Sequence, residues 1–310
     1  MTSDSVQAEG GRLDLFLLPD AGVRGAHVRL DAAWREIARH DRAFPAVREL
    51  LGQAVAASAL LTAHTKVDGR LSVQLRGGGA LRSLFAECTA AHTVRGLARL
   101  DADAGEHAAS VEARDLRRLG AGALMAITIE NPTPSGEPMR YQGLVPLESA
   151  DLAGAFEDYF RQSEQLPTRL LLSADEESAR GLLLQKLPGD AGADADGWNR
   201  IGQLFATLDT AELQAVEGPA LLHRLFHQEG LQMLSQRDLR FGCSCSRGRV
   251  EDVLRSLGAD EAYAAAEAGV DGAAEVVCEF CGHRYTFTRP QIATLLDGQT
   301  ANTEPPARLQ

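Results

Sequence analysis

The chain has 310 residues, of which 31 are lysine or arginine and 43 are aspartate or glutamate, so its formal net charge is −12. Such an acidic surface repels nucleic acid phosphates and anionic membranes overall, which argues against partners of either kind. A chain of this length usually forms two domains, and its hydrophobic content of 45% is ample for a sizeable core. The sequence has no apolar run of about 18 residues, the length that can span a bilayer.

The N-terminal segment Met1–Arg12 lacks the basic leader and apolar core of a secretory signal peptide. We therefore expect a cytoplasmic protein. In that reducing compartment, clustered cysteines are more often metal ligands or redox-active thiols than structural disulfides.

The first part of the chain carries mixed strand and helix patterns. A strand is predicted at 25–30, followed by helices at 32–40 and 45–65, the second of which begins at a proline. Three closely spaced strands then favour an antiparallel meander, and four more strands follow; these seven are predicted at 69–76, 81–89, 93–100, 123–130, 139–145, 168–173 and 181–187. A further helix is predicted from Asp151 to about Gln165. Residues 1–187 are therefore predicted to form one α+β domain, with an antiparallel sheet and packed helices.

Turn-forming and acidic residues at 188–197 mark a domain boundary. Three short helices with narrow apolar stripes are predicted beyond it, at 198–208, 210–216 and 219–228. Helices of about ten residues are marginal in water unless something packs against them. We therefore expect residues 188–236 to form a metastable helical linker, which is folded only conditionally.

Four of the five cysteines form two close pairs, Cys243 with Cys245 and Cys278 with Cys281, separated by 32 residues. A soft dication such as zinc takes four thiolates at tetrahedral corners, and two short-range pairs supply them at a small entropic cost. We therefore predict that these four cysteines bind one zinc ion in a small α+β domain at 237–299, before a disordered tail at 300–310. Its helices are predicted at 246–257, 260–268 and from Pro290, with a hairpin of strands 275–280 and 285–288 and a zinc-knuckle turn between them.

A module of roughly 60 residues has too little apolar surface to be secure alone, and structural zinc can supply about 10 to 16 kcal/mol. Loss of the metal should therefore loosen the whole module. Thiolates are the form that oxidants attack, and each cysteine here has a neighbouring thiol to form a disulfide with. This site can therefore work as a switch, whereas an ordinary structural zinc finger only has to stay closed.

The remaining candidate residues are expected to be structural. Cys88 is isolated in a strand pattern and is expected to be a core side chain. His283 is expected to be a turn residue, and His223 and His227 to lie on a solvated helix face, because no third ligand or H-E-x-x-H pattern accompanies them. The glycine run 77–79 lies between strands and predicts a hairpin loop rather than a phosphate-binding loop.

The cysteine pattern C-x-C followed by C-x-x-C resembles that of the redox-regulated heat-shock protein 33 family, the bacterial 33 kDa chaperonins. The segment Tyr159–Arg169, read as YFRQSEQLPTR, and the segment Arg140–Gly143, read as RYQG, are similar to two further segments of that family. The resemblance extends from about Leu15 to Leu296. It implies an N-terminal domain, a metastable linker and a C-terminal zinc redox switch.

The resemblance also implies a function, that of an ATP-independent holdase chaperone rather than an enzyme. Its reduced, zinc-bound form would be an inactive monomer. Oxidative stress would join Cys243 to Cys245 and Cys278 to Cys281, release zinc and unfold the linker, and the oxidised homodimer would hold unfolding client proteins. Candidate client-binding residues, for which ordinary helix packing is an equally good interpretation, are Leu204, Phe205, Leu222, Leu225 and Phe226.

Two other functions are compatible with clustered cysteines. The first is a constitutive zinc-ribbon protein that binds a protein or nucleic acid, although the net charge and the lack of a basic, aromatic face argue against nucleic acid. The second is a thiol–disulfide enzyme using Cys278 and Cys281, but the βαβ context of such enzymes is missing.

Overall fold

The computed structural model describes residues 10–65, 67–189 and 194–300. The chain divides into two units, Met1–Gly242 and Cys243–Gln310. Residues 190–193, within the predicted acidic boundary, and residues 301–310 of the predicted tail lie outside the described residues.

The first unit contains eleven described strands and seven described α-helices. The strands are β1 (Gly11–Leu18), β2 (Val23–Leu30), β3 (Arg70–Arg76), β4 (Leu81–Thr89), β5 (Thr93–Leu100), β6 (Leu124–Asn131), β7 (Met139–Pro146), β8 (Thr168–Ala174), β9 (Ala179–Lys186), β10 (Gln232–Asp238) and β11 (Arg240–Phe241). The helices are α1 (Ala32–His40), α2 (Pro45–His64), α3 (Glu106–Arg114), α4 (Leu152–Tyr159), α5 (Gly197–Ala206), α6 (Thr210–Ala215) and α7 (Gly218–Phe226).

These strands form a five-stranded sheet in the order β10-β1-β2-β9-β8 and a six-stranded sheet in the order β11-β5-β4-β3-β6-β7. Neighbouring strands are antiparallel except β11, which pairs with β5 in parallel. The predicted meander is confirmed as β3, β4 and β5, and the glycine run forms the loop between the first two. The predicted α+β class is also confirmed.

Helix α2 lies between the two sheets, since it contacts β2, β8 and β9 of one and β3, β4 and β5 of the other. Its apolar residues occur all around the helix rather than in one stripe, and fourteen of its twenty residues are buried. A helix that is apolar on every side is stable only when it is surrounded by protein. The main hydrophobic core is therefore built around α2.

Several elements differ from the prediction. Strands β1 and β10 and helix α3 were not predicted, and the helix predicted up to Gln165 is α4 followed by a π-helical turn at Phe160–Glu164. Gln165 ends this turn in the left-handed region, with φ at 56°. Strand β10 is largely exposed, so its sequence lacks an alternating apolar pattern, and it is held by its pairing with β1.

The three predicted linker helices are observed as α5, α6 and α7, and they pack on the five-stranded sheet. Their apolar side chains form a second core cluster with Phe16, Leu18 and Val23 of the sheet. The cluster also contains Leu182 and Leu184 of β9. The helices that were expected to be marginal alone are therefore docked on a folded partner.

The second unit begins at Cys243, whereas the sequence predicted a domain starting at residue 237. It contains α8 (Arg247–Leu257), α9 (Ala259–Ala268), β12 (Ala273–Val277), β13 (Arg284–Thr288) and α10 (Arg289–Thr300). Strands β12 and β13 form the predicted antiparallel hairpin. Eight described hydrophobic residues form the buried core of this unit, and three of them are alanines.

Candidate metal centre

The four cysteines are presented by two short loops of the second unit. Cys243 and Cys245 precede α8, whose first turn is capped by Ser246, with its hydroxyl accepting from the Arg249 N–H at 3.3 Å. Cys278 and Cys281 lie in the turn of the β12–β13 hairpin. These two loops are separated by α8 and α9 in the sequence, and the fold brings them together.

The turn that carries the second pair is closed by two backbone hydrogen bonds. The Gly282 N–H donates to the Cys278 carbonyl at 2.8 Å, and the Cys278 N–H donates to the His283 carbonyl at 2.9 Å. Gly282 has a φ of 65°, in the left-handed region that glycine adopts without strain. This is the arrangement expected of the predicted zinc knuckle.

The four sulfur atoms, here called the four-cysteine cluster, all lie within 4.8 Å of one another. The Cys243 and Cys278 sulfurs are 3.6 Å apart, and the Cys245 and Cys281 sulfurs are 3.4 Å apart. Four sulfurs at about 2.3 Å from a tetrahedral zinc ion would be roughly 3.8 Å apart, so the cluster has the size and the donor chemistry for this ion. Among the described residues it is the one group of histidine, cysteine and acidic side chains close enough to hold a metal.

Hydrogen bonds to the Cys245 sulfur favour its charged form, whereas burial and the neighbouring thiols raise the pKa values of Cys243 and Cys281. The Tyr285 hydroxyl donates to the Cys245 sulfur at 3.2 Å, and the Cys245 N–H donates to the Cys243 sulfur at 3.4 Å. Burial raises the pKa of Cys245, but the bond from Tyr285 and the neighbouring thiols outweigh it and lower that pKa below its usual value. The same bond to Cys245 raises the pKa of Tyr285 to about 12, so its hydroxyl stays a donor at neutral pH.

Tyr285 was not predicted as part of the site. It lies on β13, and its ring is in edge contact with the His283 ring, with centroids 4.6 Å apart. The sequence offers one indication of this role, which is that Tyr285 lies two residues after His283 in a short predicted strand. Its partner, the Cys245 sulfur, is 40 residues away in the sequence.

Replacing Tyr285 with phenylalanine removes the hydroxyl and keeps the ring. We expect Tyr285→Phe to weaken zinc binding about 10- to 100-fold, the usual loss when a partner of a metal ligand is removed. Competition with a chromogenic zinc chelator measures this affinity. Tyr263→Phe is the matched control, because the Tyr263 ring stacks under Arg289 in the same unit. If both variants bind zinc with the affinity of the wild-type protein, the Tyr285 hydroxyl has no role in zinc binding.

The other sequence candidates lie outside the cluster. His283 is not one of its members. His223 on α7 and His227, the residue that caps the C-terminal end of α7, are both exposed, and their rings are stacked 5.4 Å apart. Cys88 is 1% exposed in the main core, and burial raises the pKa of its thiol to about 12. The expectation that Cys88 is a core side chain is confirmed.

Cys88→Ala should leave the response of the protein to oxidants unchanged, because a buried neutral thiol is not nucleophilic. A thiol-alkylating reagent applied to the reduced, metal-depleted protein should modify the four clustered cysteines and spare Cys88, which stays inside the folded main core, as read by mass spectrometry. Removing the buried sulfur should lower the free energy of unfolding by about 1 kcal/mol. Rapid alkylation of Cys88 in the folded protein would contradict this assignment.

The predicted client-binding residues are all held in the second core cluster. Phe205 and Leu225 are 9% exposed, Leu222 and Phe226 are fully buried, and Leu204 packs against them from a half-buried position. These side chains would become accessible to another protein only after α5 and α7 leave the sheet.

No helix in the described parts of the chain is long and apolar enough to cross a membrane. The family model described as "Hsp33 protein" matches residues 12–288. The 33 kDa chaperonin of Ectopseudomonas mendocina is 42% identical over 300 residues, covering 94% of this chain and 97% of that protein. The 33 kDa chaperonin of Nitrosococcus oceani is 42% identical over 289 residues, covering 93% of this chain and 94% of that protein.

A solved structure has the same fold. The crystal structure of the 33 kDa chaperonin from Thermotoga maritima superposes with a TM-score of 0.76 at 22% identity, covering 94% of this chain and all of that one. The match of the family model and the identity to full-length relatives agree with the cysteine spacing of this sequence. The chain therefore belongs to the Hsp33 family, and it is a chaperone rather than an enzyme.

Proposed function

We propose that this protein is a redox-regulated, ATP-independent holdase of the cytoplasm, inactive while reduced and zinc-bound and active after oxidation. The observation that carries this proposal is the four-cysteine cluster, in which four free thiols lie within 4.8 Å of one another in a small unit. Unfolding proteins are its partners.

The chemistry belongs to the four sulfurs. A bound zinc ion would hold them as thiolates and tie the two loops together. Hydrogen peroxide oxidises a cysteine to the sulfenic acid, and the neighbouring thiol displaces water to form the disulfide. Two electrons from each thiol pair reduce one peroxide to two water molecules. Each disulfide removes two thiolate donors, and the remaining sulfurs are too few to retain the ion.

We propose the local pairing, Cys243 with Cys245 and Cys278 with Cys281. Trypsin separates the two pairs, because Arg247 and Arg255 lie between them. After oxidation, local disulfides give two unlinked peptides, Phe241–Arg247 and Ser256–Arg284. Disulfides that cross between the loops would hold these peptides together, and mass spectrometry would then find their summed mass.

Loss of the donor set should unfold the second unit, because its buried core is small. The chain enters this unit directly from β11, which follows the predicted linker. We propose that the linker helices then leave the five-stranded sheet and expose Leu204, Phe205, Leu222, Leu225 and Phe226 to clients. Hydrophobic burial is non-directional, so this surface can hold many different sequences. Newly exposed apolar surface also favours the oxidised homodimer.

The test is suppression of client aggregation before and after peroxide, with no ATP present. The wild-type protein should hold a chemically unfolded client only after oxidation, and reductant with zinc should reverse the effect. Cys245→Ser and Cys278→Ser should abolish the gain, while the control Cys88→Ala should keep it. Equal holding by reduced and oxidised wild-type protein would contradict the switch.

A further inference from the structure

Arg180 is a buried cation on the face of the five-stranded sheet that receives the linker. It lies on β9 and is 6% exposed. Its Nη1 donates to the carbonyl oxygens of Leu213 at 3.2 Å and Val216 at 3.0 Å, and its Nε donates to the Ser178 hydroxyl at 3.4 Å. All three of these acceptors are neutral oxygens, and two of them belong to the linker.

The two carbonyls lie at the C-terminal end of α6. The last carbonyls of a helix have no partner within the helix, and a cation placed there also interacts favourably with the helix dipole. Helix α6 has six residues, of which only Leu213 is buried, so it is too short to be stable by itself. Arg180 therefore supplies the hydrogen-bond donors and the positive charge that α6 itself lacks at its C-terminal end.

Gln214 of α6 makes a second polar contact with the sheet. Its Oε1 accepts from the Ser178 hydroxyl at 2.7 Å, and its Nε2 donates to the Ser173 hydroxyl at 3.2 Å. Because Ser178 also accepts from Arg180, the three side chains form one hydrogen-bonded group between the sheet and α6.

We propose that Arg180 is the positioning residue that keeps the predicted linker docked on the sheet, and that its loss releases α6 and α7 without oxidation. A buried guanidinium has given up its hydration, and the linker carbonyls replace that water only while the linker is docked. Docking is therefore conditional on this contact. The contact of Arg180 with the carbonyls of Leu213 and Val216, here called the anchor, is a property of the reduced, folded protein. Its consequence for client holding rests on the proposed function.

Hydrogen exchange of the reduced, zinc-bound protein tests this anchor. In Arg180→Met, the amides of α6 and α7 should exchange about tenfold to hundredfold faster, since two buried carbonyls lose their donor. The amides of α2 should keep their wild-type rates. Arg180→Lys retains one donor group and should partly restore slow exchange, and Gln214→Ala should accelerate exchange less than Arg180→Met.

Arg95→Met is the matched control, because Arg95 is a largely buried arginine on the other sheet, where it donates to Glu87 at 2.8 Å. It should leave the linker amides unchanged. If the amides of α6 and α7 in Arg180→Met exchange at the same rates as in the wild-type protein, the proposal is overturned. Equal acceleration of α2 and the linker in both Arg180→Met and Arg180→Lys would also overturn it, because it would show a general structural role.

Client holding by reduced Arg180→Met separates the two proposals. Faster linker exchange together with holding in the absence of oxidant supports both the anchor and the proposed function. Faster linker exchange without holding supports the anchor and contradicts the proposal that the released linker binds clients.

Discussion

A zinc chelator added to the reduced protein should unfold the second unit and leave the main core of the first unit, around α2, folded. The described core of the second unit has eight buried hydrophobic residues, three of them alanine, whereas the main core of the first unit surrounds all sides of α2. Structural zinc supplies about 10 to 16 kcal/mol, which is comparable to the whole stability of a small domain. Removing it therefore leaves the second unit without enough stabilisation to remain folded.

Hydrogen exchange measures this outcome directly. The amides of α8 and α9 should lose their protection on chelation, and the amides of α2 should retain it. The same chelator saturated with zinc is the control, and adding zinc back should restore protection. Persistent protection of α8 and α9 in metal-free, reduced protein would show that the sulfurs do not stabilise this unit.

Gly218→Ala should loosen the linker of the reduced protein. A Cβ atom at Gly218 would lie 2.6 Å from Nδ1 of His27 and 3.1 Å from Oδ2 of Asp14. Both of these side chains are 2% exposed, so they have little room to move away. Helix α7 would have to shift off the sheet, at a cost of about 1 to 3 kcal/mol, which corresponds to a rise of roughly 5- to 150-fold in the undocked fraction.

Gly202→Ala is the matched control within the same linker. Gly202 lies inside α5, and a Cβ atom there would meet no other atom within 4 Å. Alanine should stabilise that helix by about 1 kcal/mol. The rate of tryptic cleavage after Arg224, which lies within α7, reports linker opening in both variants. Cleavage should be faster in Gly218→Ala and slower in Gly202→Ala, and the opposite order would contradict the contact between α7 and the buried Asp14 and His27.

The composition of the candidate site could be predicted from the sequence, but its geometry could not. The spacing of Cys243, Cys245, Cys278 and Cys281 is a local property, and the chemistry of thiolates restricts what four of them can bind. The sulfur contacts of 3.6 and 3.4 Å each join one cysteine of each loop, and they depend on how α8 and α9 fold between the loops. The hydroxyl of Tyr285 reaches Cys245 for the same reason.

Most elements of the fold were visible as periodic patterns, and those that were missed lack such a pattern. Strand β1 places the polar Asp14 at a buried position, which interrupts its apolar pattern. Strand β10 exposes Met233 and Leu234, at 43% and 60%, and depends on backbone pairing with a strand more than two hundred residues earlier. Periodicity reports which face of a segment is buried, and it carries no information about a distant pairing partner.

The marginal nature of the linker was predicted from helix length, but its means of attachment was not. The patterns of α5, α6 and α7 showed narrow apolar stripes, and the structure buries these stripes in the second core cluster. Arg180 precedes a run of apolar residues in β9, and nothing in that local sequence indicates that its partners are the carbonyls of Leu213 and Val216. Every residue has a backbone carbonyl, so the residue type of the acceptor does not show that such a contact exists.

We propose that oxidation of the four clustered cysteines turns on client holding through loss of their metal. This proposal is tested most directly by one peroxide titration in which zinc release and suppression of client aggregation are measured in the same sample. We expect one zinc per reduced chain, and both signals should rise together as Cys243, Cys245, Cys278 and Cys281 become oxidised. Holding activity that appears while zinc remains bound, or full zinc release with no gain in holding, would contradict the account.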